Sequence, residues 1–174
     1  MIRKAEQQDI DAVDAIYTEI LLYEETHTKY TVFELGVYPT KQIAEKALAE
    51  GALFVMERDG VLCASIIANQ VQSAEYQDVH WQCDAAPEDV MVIHLLCVSP
   101  TSAGQGVGTE MVQFIVNLAK EKRCRVVRLD TGSQNIPAVS LYQKLGFKIA
   151  DTATMAIGGI ISHKNHLFLE LVLD

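Results

Sequence analysis

Residues 92–120 read VIHLLCVSPTSAGQGVGTEMVQFIVNLAK, and this stretch decides the fold. Residues 91–98 are a nearly unbroken apolar run, whose length suits a strand buried on both faces. Pro100 ends the run because it has no N–H to give a strand ladder. Gly104, Gln105, Gly106, Val107 and Gly108 follow. Val107, Met111, Phe114, Ile115 and Leu118 then recur at helical spacing, with Glu110, Gln113, Asn117 and Lys120 on the opposite face. The unit is strand, glycine loop, helix. Glycine lets the backbone turn sharply and bring its N–H groups close to a ligand. The first turn of a helix has N–H groups without partners and a partial positive charge, which together make a receptor for phosphate. The same pattern also fits a glycine turn that merely reverses the chain.

Two phosphate loops fit poorly. A P-loop ends in Gly-Lys-Ser/Thr, but Gly108 is followed by Thr109. A dinucleotide fingerprint needs a third glycine where this chain has Thr109 or Met111, and it opens on the first strand of a βα unit. Residues 100–108 instead resemble the pyrophosphate loop of the GNAT N-acetyltransferase superfamily, Arg/Gln-x-x-Gly-x-Gly/Ala with Val-x-Pro just before it. Val98-Ser99-Pro100 and Gly106-Val107-Gly108 match, while Ala103 stands where the family usually has Arg or Gln. That departure removes a side chain but leaves the backbone amides. A second signature follows about 30 residues later: Asn135-Ile-Pro-Ala138-Val-Ser-Leu-Tyr142-Gln-Lys-Leu-Gly146-Phe147 is very like the family's Asn-x-x-Ala-x-x-Leu-Tyr-x-x-Leu-Gly-Phe.

The rest of the 174 residues is read as one domain, 1–174. Residues 1–4 suit a short strand. Asp9 reads as the N-cap of a helix carrying Ile10, Val13, Ile16, Ile20 and Leu21 to about Tyr23. Residues 24–36 read as loop or frayed helix, and a second helix starts at Tyr38-Pro39-Thr40 and stops before Gly51. Strands at 52–56 and 61–68 flank Asp59-Gly60, a hairpin signal. Residues 73–89 are irregular and acidic; 125–131, 147–157 and 166–173 read as strands, and 135–145 as a short helix.

The resemblance implies an α/β fold with a mixed sheet of six to seven strands. Antiparallel strands come first, then a parallel pair around the cofactor loop, with helices on both faces. It implies transfer of an acetyl group from acetyl-CoA to a primary amine of a small molecule or peptide, by direct attack in a ternary complex. By the same resemblance, the backbone of Leu96, Cys97 and Val98 pairs with the pantetheine arm. Ala103, Gly104, Gln105, Gly106, Val107, Gly108 and Thr109 hold the pyrophosphate. Asn135 and Ala138 flank the arm, and Tyr142 is the general acid. His94 stands six residues before Pro100, where many relatives carry a glutamate base. A histidine can do that work near neutral pH, and it equally suits a hydrogen-bonded place on a buried strand. Cys97 raises a covalent alternative, against ordinary packing. Ala103 and the missing glutamate keep open a second function, a non-catalytic acyl-CoA-binding sensor or regulatory module.

Tyr38, Asn69, Tyr76 and Trp81 lie in loop-like segments expected to line the acceptor pocket. The net charge of −9 argues against nucleic-acid binding and suits a cationic acceptor. Hydrophobic residues make up 49% of the chain, with no apolar run near the ~20 residues of a membrane span. Four unpaired cysteines and a polar start imply a cytoplasmic protein with reduced thiols. No metal site is expected, because His163 and His166 lack an accompanying carboxylate or cysteine cluster. Self-association into a homodimer stays open.

Overall fold

The computed structural model describes residues 1–174. In chain order the elements are β1 (Ile2–Lys4), α1 (Ile10–Thr26), α2 (Lys41–Ala49), β2 (Leu53–Arg58), β3 (Val61–Asn69), β4 (Val90–Val98), α3 (Val107–Glu121), β5 (Val126–Gly132), α4 (Ile136–Lys144), β6 (Lys148–Ile157) and β7 (Ile161–Val172). The strands form one seven-stranded mixed sheet in the order β1-β2-β3-β4-β5-β7-β6. β4 and β5 pair in parallel, and the pairs β1–β2, β2–β3, β5–β7 and β6–β7 are antiparallel. No helix is long and apolar enough to cross a membrane.

The residues group into two compact units, each discontinuous in sequence, and β4 and α3 contribute to both. The first holds Met1–Lys29, Phe33–Ala68 and Leu95–Phe114. Its β2–β3 hairpin turns at Asp59 and Gly60, both at positive φ, which is the backbone an Asp-Gly turn supplies. Side chains alternate across a strand, so the pairs Phe54↔Ile66 and Val55↔Ser65 face opposite ways. Phe54 meets Phe114 of α3, with ring centroids 5.5 Å apart. Tyr17 of α1 lies beside Ser65. Helices therefore cover both faces of this hairpin. α1 continues to Thr26, beyond Tyr23, and it buries Tyr17 where the apolar pattern pointed to Ile20. Asp9 stands at the N-cap position of α1 as expected, but its carboxylate makes no cap bond to that helix. It accepts instead from Arg3 Nη1 and Nη2 at 2.6 and 2.9 Å and from the Glu6 N–H at 2.7 Å. A buried carboxylate goes to its strongest donors, and a guanidinium outranks an amide.

The second unit holds Tyr30–Val32, Asn69–His94 and Ile115–Asp174. β7 begins at Ile161, five residues before His166; its first residues are polar because they form an exposed arm of the β6–β7 hairpin. Residues 73–89 contain two short 3₁₀ turns, Ala74–Asp78 and Pro87–Asp89. Buried charges pin this segment. Glu170 Oε1 accepts from the N–H groups of Gln82 and Cys83, at 2.7 and 3.2 Å. Arg128 donates to the Cys83 carbonyl at 2.6 Å and to Gln72 at 2.8 Å, and its guanidinium lies 4.3 Å from the centre of the Trp81 ring. Arg128 Nε and Glu170 Oε2 stand 3.7 Å apart.

Candidate functional site

The glycine loop lies in the first unit. β4 ends, residues Pro100–Ser102 make one 3₁₀ turn, and residues 103–106 turn into α3. Gly104 and Gly106 have φ of 74° and 78°, and a Cβ at either would meet nothing within 4 Å. Glycine is therefore required here by backbone conformation, and the surface above the loop is open. The base of the loop is fixed by Ser99. Its N–H donates to the Cys63 carbonyl at 2.8 Å and its hydroxyl to Glu19 at 2.9 Å. Arg58 of β2 donates to the Gln105 carbonyl at 3.4 Å and pairs with Glu110 at 2.6 Å. It brings a guanidinium to a loop that has Ala103 where the family motif carries Arg or Gln. Cys97 is buried, and burial pushes its thiol well above the usual range, so it packs and supplies no thiolate.

The second unit carries the titratable candidates. The parallel pairing of β4 with β5 runs from Val90↔Val126 to Ile93↔Leu129, and His94 is the next residue of β4. His94 Nε2 is 2.7 Å from Asn69 Oδ1, and the same oxygen accepts the Val71 N–H at 3.0 Å. The Val71 bond makes that oxygen the acceptor, so His94 donates through Nε2 and a neutral ring carries its basic lone pair on Nδ1.

The second motif folds into α4 and its caps. Asn135 Oδ1 accepts the Ala138 N–H at 3.3 Å and so caps the helix. At the other end Gly146, at φ 94°, donates to the Gln143 carbonyl, and Phe147 donates to the carbonyl of Tyr142. This is a Schellman cap, and its apolar contact is the Tyr142–Phe147 ring pair at 5.7 Å. The Leu-Gly-Phe ending thus fixes the place of Tyr142, which is 6% exposed.

Each of the four predicted acceptor residues has its own surroundings. Tyr76 and Trp81 line a cavity of about 720 Å³ with Gln70, His80 and Arg128. Asn69 bonds to His94. Tyr38 belongs to the first unit, where its ring packs on Phe33 at 5.5 Å. Sequence reasoning missed Asp130. Tyr76 donates to its Oδ1 at 2.6 Å, and His166 Nε2 lies 2.9 Å from its Oδ2. The available signal was Arg128 and Asp130, two charges at strand period inside an apolar run. No group of three or more His, Cys, Asp or Glu side chains is placed to hold a metal ion.

Comparison with known proteins adds the lineage. An N-acetyltransferase of Methanocaldococcus jannaschii is 32% identical over 71 residues, covering 41% of this chain and 31% of that protein. The chain spans about a third of the length of the curated relatives it matches first. A GNAT-family acetyltransferase of Streptococcus agalactiae superposes with a TM-score of 0.82 at 17% identity, over 100% of this chain and 95% of the other. An acetyltransferase of Salmonella typhimurium, solved with acetyl-CoA, superposes with a TM-score of 0.69 at 20% identity, over 100% and 94%. These likenesses are of fold. The model of the acetyltransferase (GNAT) family matches residues 12–147, more than half of the chain and both glycine-bearing motifs, and the chain belongs to that family.

Proposed function

We propose that this protein is an acetyl-CoA-dependent N-acetyltransferase acting on a primary amine of a small molecule or peptide. One observation carries the reading: the left-handed turn at Gly104 and Gly106, open above, that leads directly into the first turn of α3. Backbone amides of residues 104–109 suit a pyrophosphate, and the glycines leave room for it. By the family's pattern the strand backbone of Leu96, Cys97 and Val98 is assigned to the pantetheine arm, and Asn135 and Ala138, at the start of α4, are assigned to it as well. Acetyl-CoA, when bound, supplies the acyl group as an activated thioester.

The chain's own residues manage protons. An alkyl ammonium with a pKa of ~10.4 is unprotonated in only about one molecule in 2,500 at neutral pH, so a base is needed. His94 takes that proton and releases it to solvent. The N–C bond then forms and the C–S bond breaks. Tyr142 donates its hydroxyl proton to the departing sulfur and recovers one from the nitrogen, so one proton is released per turnover. The buried Cys97 thiol favours this direct route over a covalent one. The test is thiol release from acetyl-CoA against a panel of amines. Release with at least one amine is expected. Binding of acetyl-CoA with no release across the panel would replace this reading by that of an acyl-CoA sensor.

A further inference from the structure

Arg58 is the last residue of β2 and pairs with Val61 across the Asp59-Gly60 turn. Side chains alternate along a strand, so Arg58 leaves the same face as Phe54, four residues earlier. On α3, Glu110 and Phe114 are also four residues apart and share one face of the helix. Two contacts tie that strand face to that helix face. The Phe54 and Phe114 rings meet at 5.5 Å, and Arg58 Nη2 donates to Glu110 Oε1 at 2.6 Å. The apolar pair seats the hairpin, and the ion pair draws the end of β2 to the start of α3.

There Arg58 closes a ring of bonds around the glycine loop. Its Nη1 donates to the Gln105 carbonyl at 3.4 Å, and the Glu110 N–H donates to the Gly106 carbonyl at 3.0 Å. Glu110 thus grips the loop twice, through its own N–H and through Arg58. The peptides on both sides of Gly106 are each held by their carbonyl oxygen. In a trans peptide the C=O and N–H point opposite ways, so holding the Gln105 oxygen toward Arg58 turns the Gly106 N–H away from it. A carbonyl that accepts from a cation also polarises its peptide and makes the N–H a better donor. Charge adds to this. Glu110 sets a carboxylate in the first turn of α3, where the helix dipole favours an anion. Left bare, that carboxylate would repel a phosphate at the same turn, and Arg58 offsets it. Ala103 is exposed and has no side-chain donor, so β2 supplies what the motif's own first position does not.

We propose that Arg58 is the positioning residue for the pyrophosphate of acetyl-CoA and replaces, from the neighbouring hairpin, the side chain that the loop lacks at Ala103. It acts through the Gln105–Gly106 peptide and through Glu110. This rests on the acetyl-transfer reading above and names a residue outside both motifs on which cosubstrate recognition depends.

The test is calorimetry of coenzyme A on wild type, Arg58→Ala, Arg58→Lys and the double variant Arg58→Ala with Ala103→Arg. Kinetics with acetyl-CoA and with S-acetylpantetheine, which ends before the pyrophosphate, accompany it. Arg58→Ala should raise the Kd of coenzyme A and the KM of acetyl-CoA by about tenfold, with kcat unchanged. Its kcat/KM for S-acetylpantetheine should match wild type. Arg58→Lys keeps the charge but loses the planar fork that reaches Gln105 and Glu110 together, so its affinity should lie between the two. Ala103→Arg added to Arg58→Ala should regain affinity, because it returns a guanidinium to the motif's own position. A merely structural role would weaken both thioesters alike and would not respond to Ala103→Arg. The Arg58 side chain is 33% exposed, and ion pairs so open to water add little stability, so Arg58→Ala should fold. If circular dichroism shows otherwise, Arg58→Gln, which keeps a donor and drops the charge, decides by the same selective loss. Coenzyme A affinity unchanged without the Arg58 charge, an equal loss with S-acetylpantetheine, or a double variant no tighter than Arg58→Ala would overturn the Arg58 assignment and leave acetyl transfer standing. A wild type that binds no coenzyme A would overturn both.

Discussion

Tyr142 owes its position to a cap, which makes its hydroxyl separable from its packing. Tyr142→Phe keeps the ring, the contact with Phe147 and the backbone bonds of the Schellman turn. If the hydroxyl is the acid, turnover falls by roughly 10²–10⁴-fold while acetyl-CoA affinity and thermal stability hold. Steady-state kinetics beside calorimetry read this directly, and turnover close to wild type would assign the proton to water. His94 is tested through pH. Asn69 bonds to its ring, and His94→Ala removes the imidazole together with that bond. The rate loss should be greatest below about pH 8 and shrink toward the amine's own pKa, where free amine is abundant. A loss independent of pH would mark His94 as structural.

At the scale of elements, the strand–loop–helix unit depends on two left-handed glycines and on Ser99 anchoring its base. Gly106→Asp places a side chain and a negative charge in the open space above the loop, and it strains a backbone at φ 78°. The strain costs about 1–2 kcal/mol, which a folded domain tolerates, whereas the added charge opposes a pyrophosphate directly. Calorimetry should find acetyl-CoA binding lost with circular dichroism native. Undiminished affinity would sink the loop assignment. The segment 69–89 behaves differently: it has little regular structure, yet Arg128, Glu170 and Asp151 hold it. Asp151 accepts from the His80 N–H and ring at 3.0 and 2.8 Å, and these bonds hold its pKa down to about 2.

For the molecule as a whole, acid stability should depend strongly on Asp9. The Arg3 guanidinium and the Glu6 N–H hold its pKa below the ordinary carboxylate value. A depressed folded pKa means that the unfolded chain takes up the proton first as pH falls. The stabilisation is complete above the unfolded value of ~3.9 and is lost as pH drops through the folded one. Asp9→Asn should therefore cost about 1–3 kcal/mol near neutral pH, with the gap to wild type closing below about pH 4. Urea midpoints across that range check it; a gap that does not narrow with acid would mean the loss is one of packing.

The sequence by itself determined the glycine loop, the capped helix that carries Tyr142, the Asp-Gly hairpin and most strand and helix positions. Each is a local matter of φ angles, capping bonds within a few residues and apolar period. Only the tertiary structure decided what surrounds Asp130. Tyr76 reaches it from 54 residues away, and His166 arrives because β7 pairs with β5 in the register that sets Gly132 opposite it. The same holds for His94, whose tautomer is set by Asn69 from 25 positions earlier. It holds for Asp9 too, whose carboxylate looked like a helix cap until Arg3 was beside it. Period along a strand tells which face a side chain leaves by. What covers that face depends on register and on the path of the connecting loops, and neither is written in neighbouring residues.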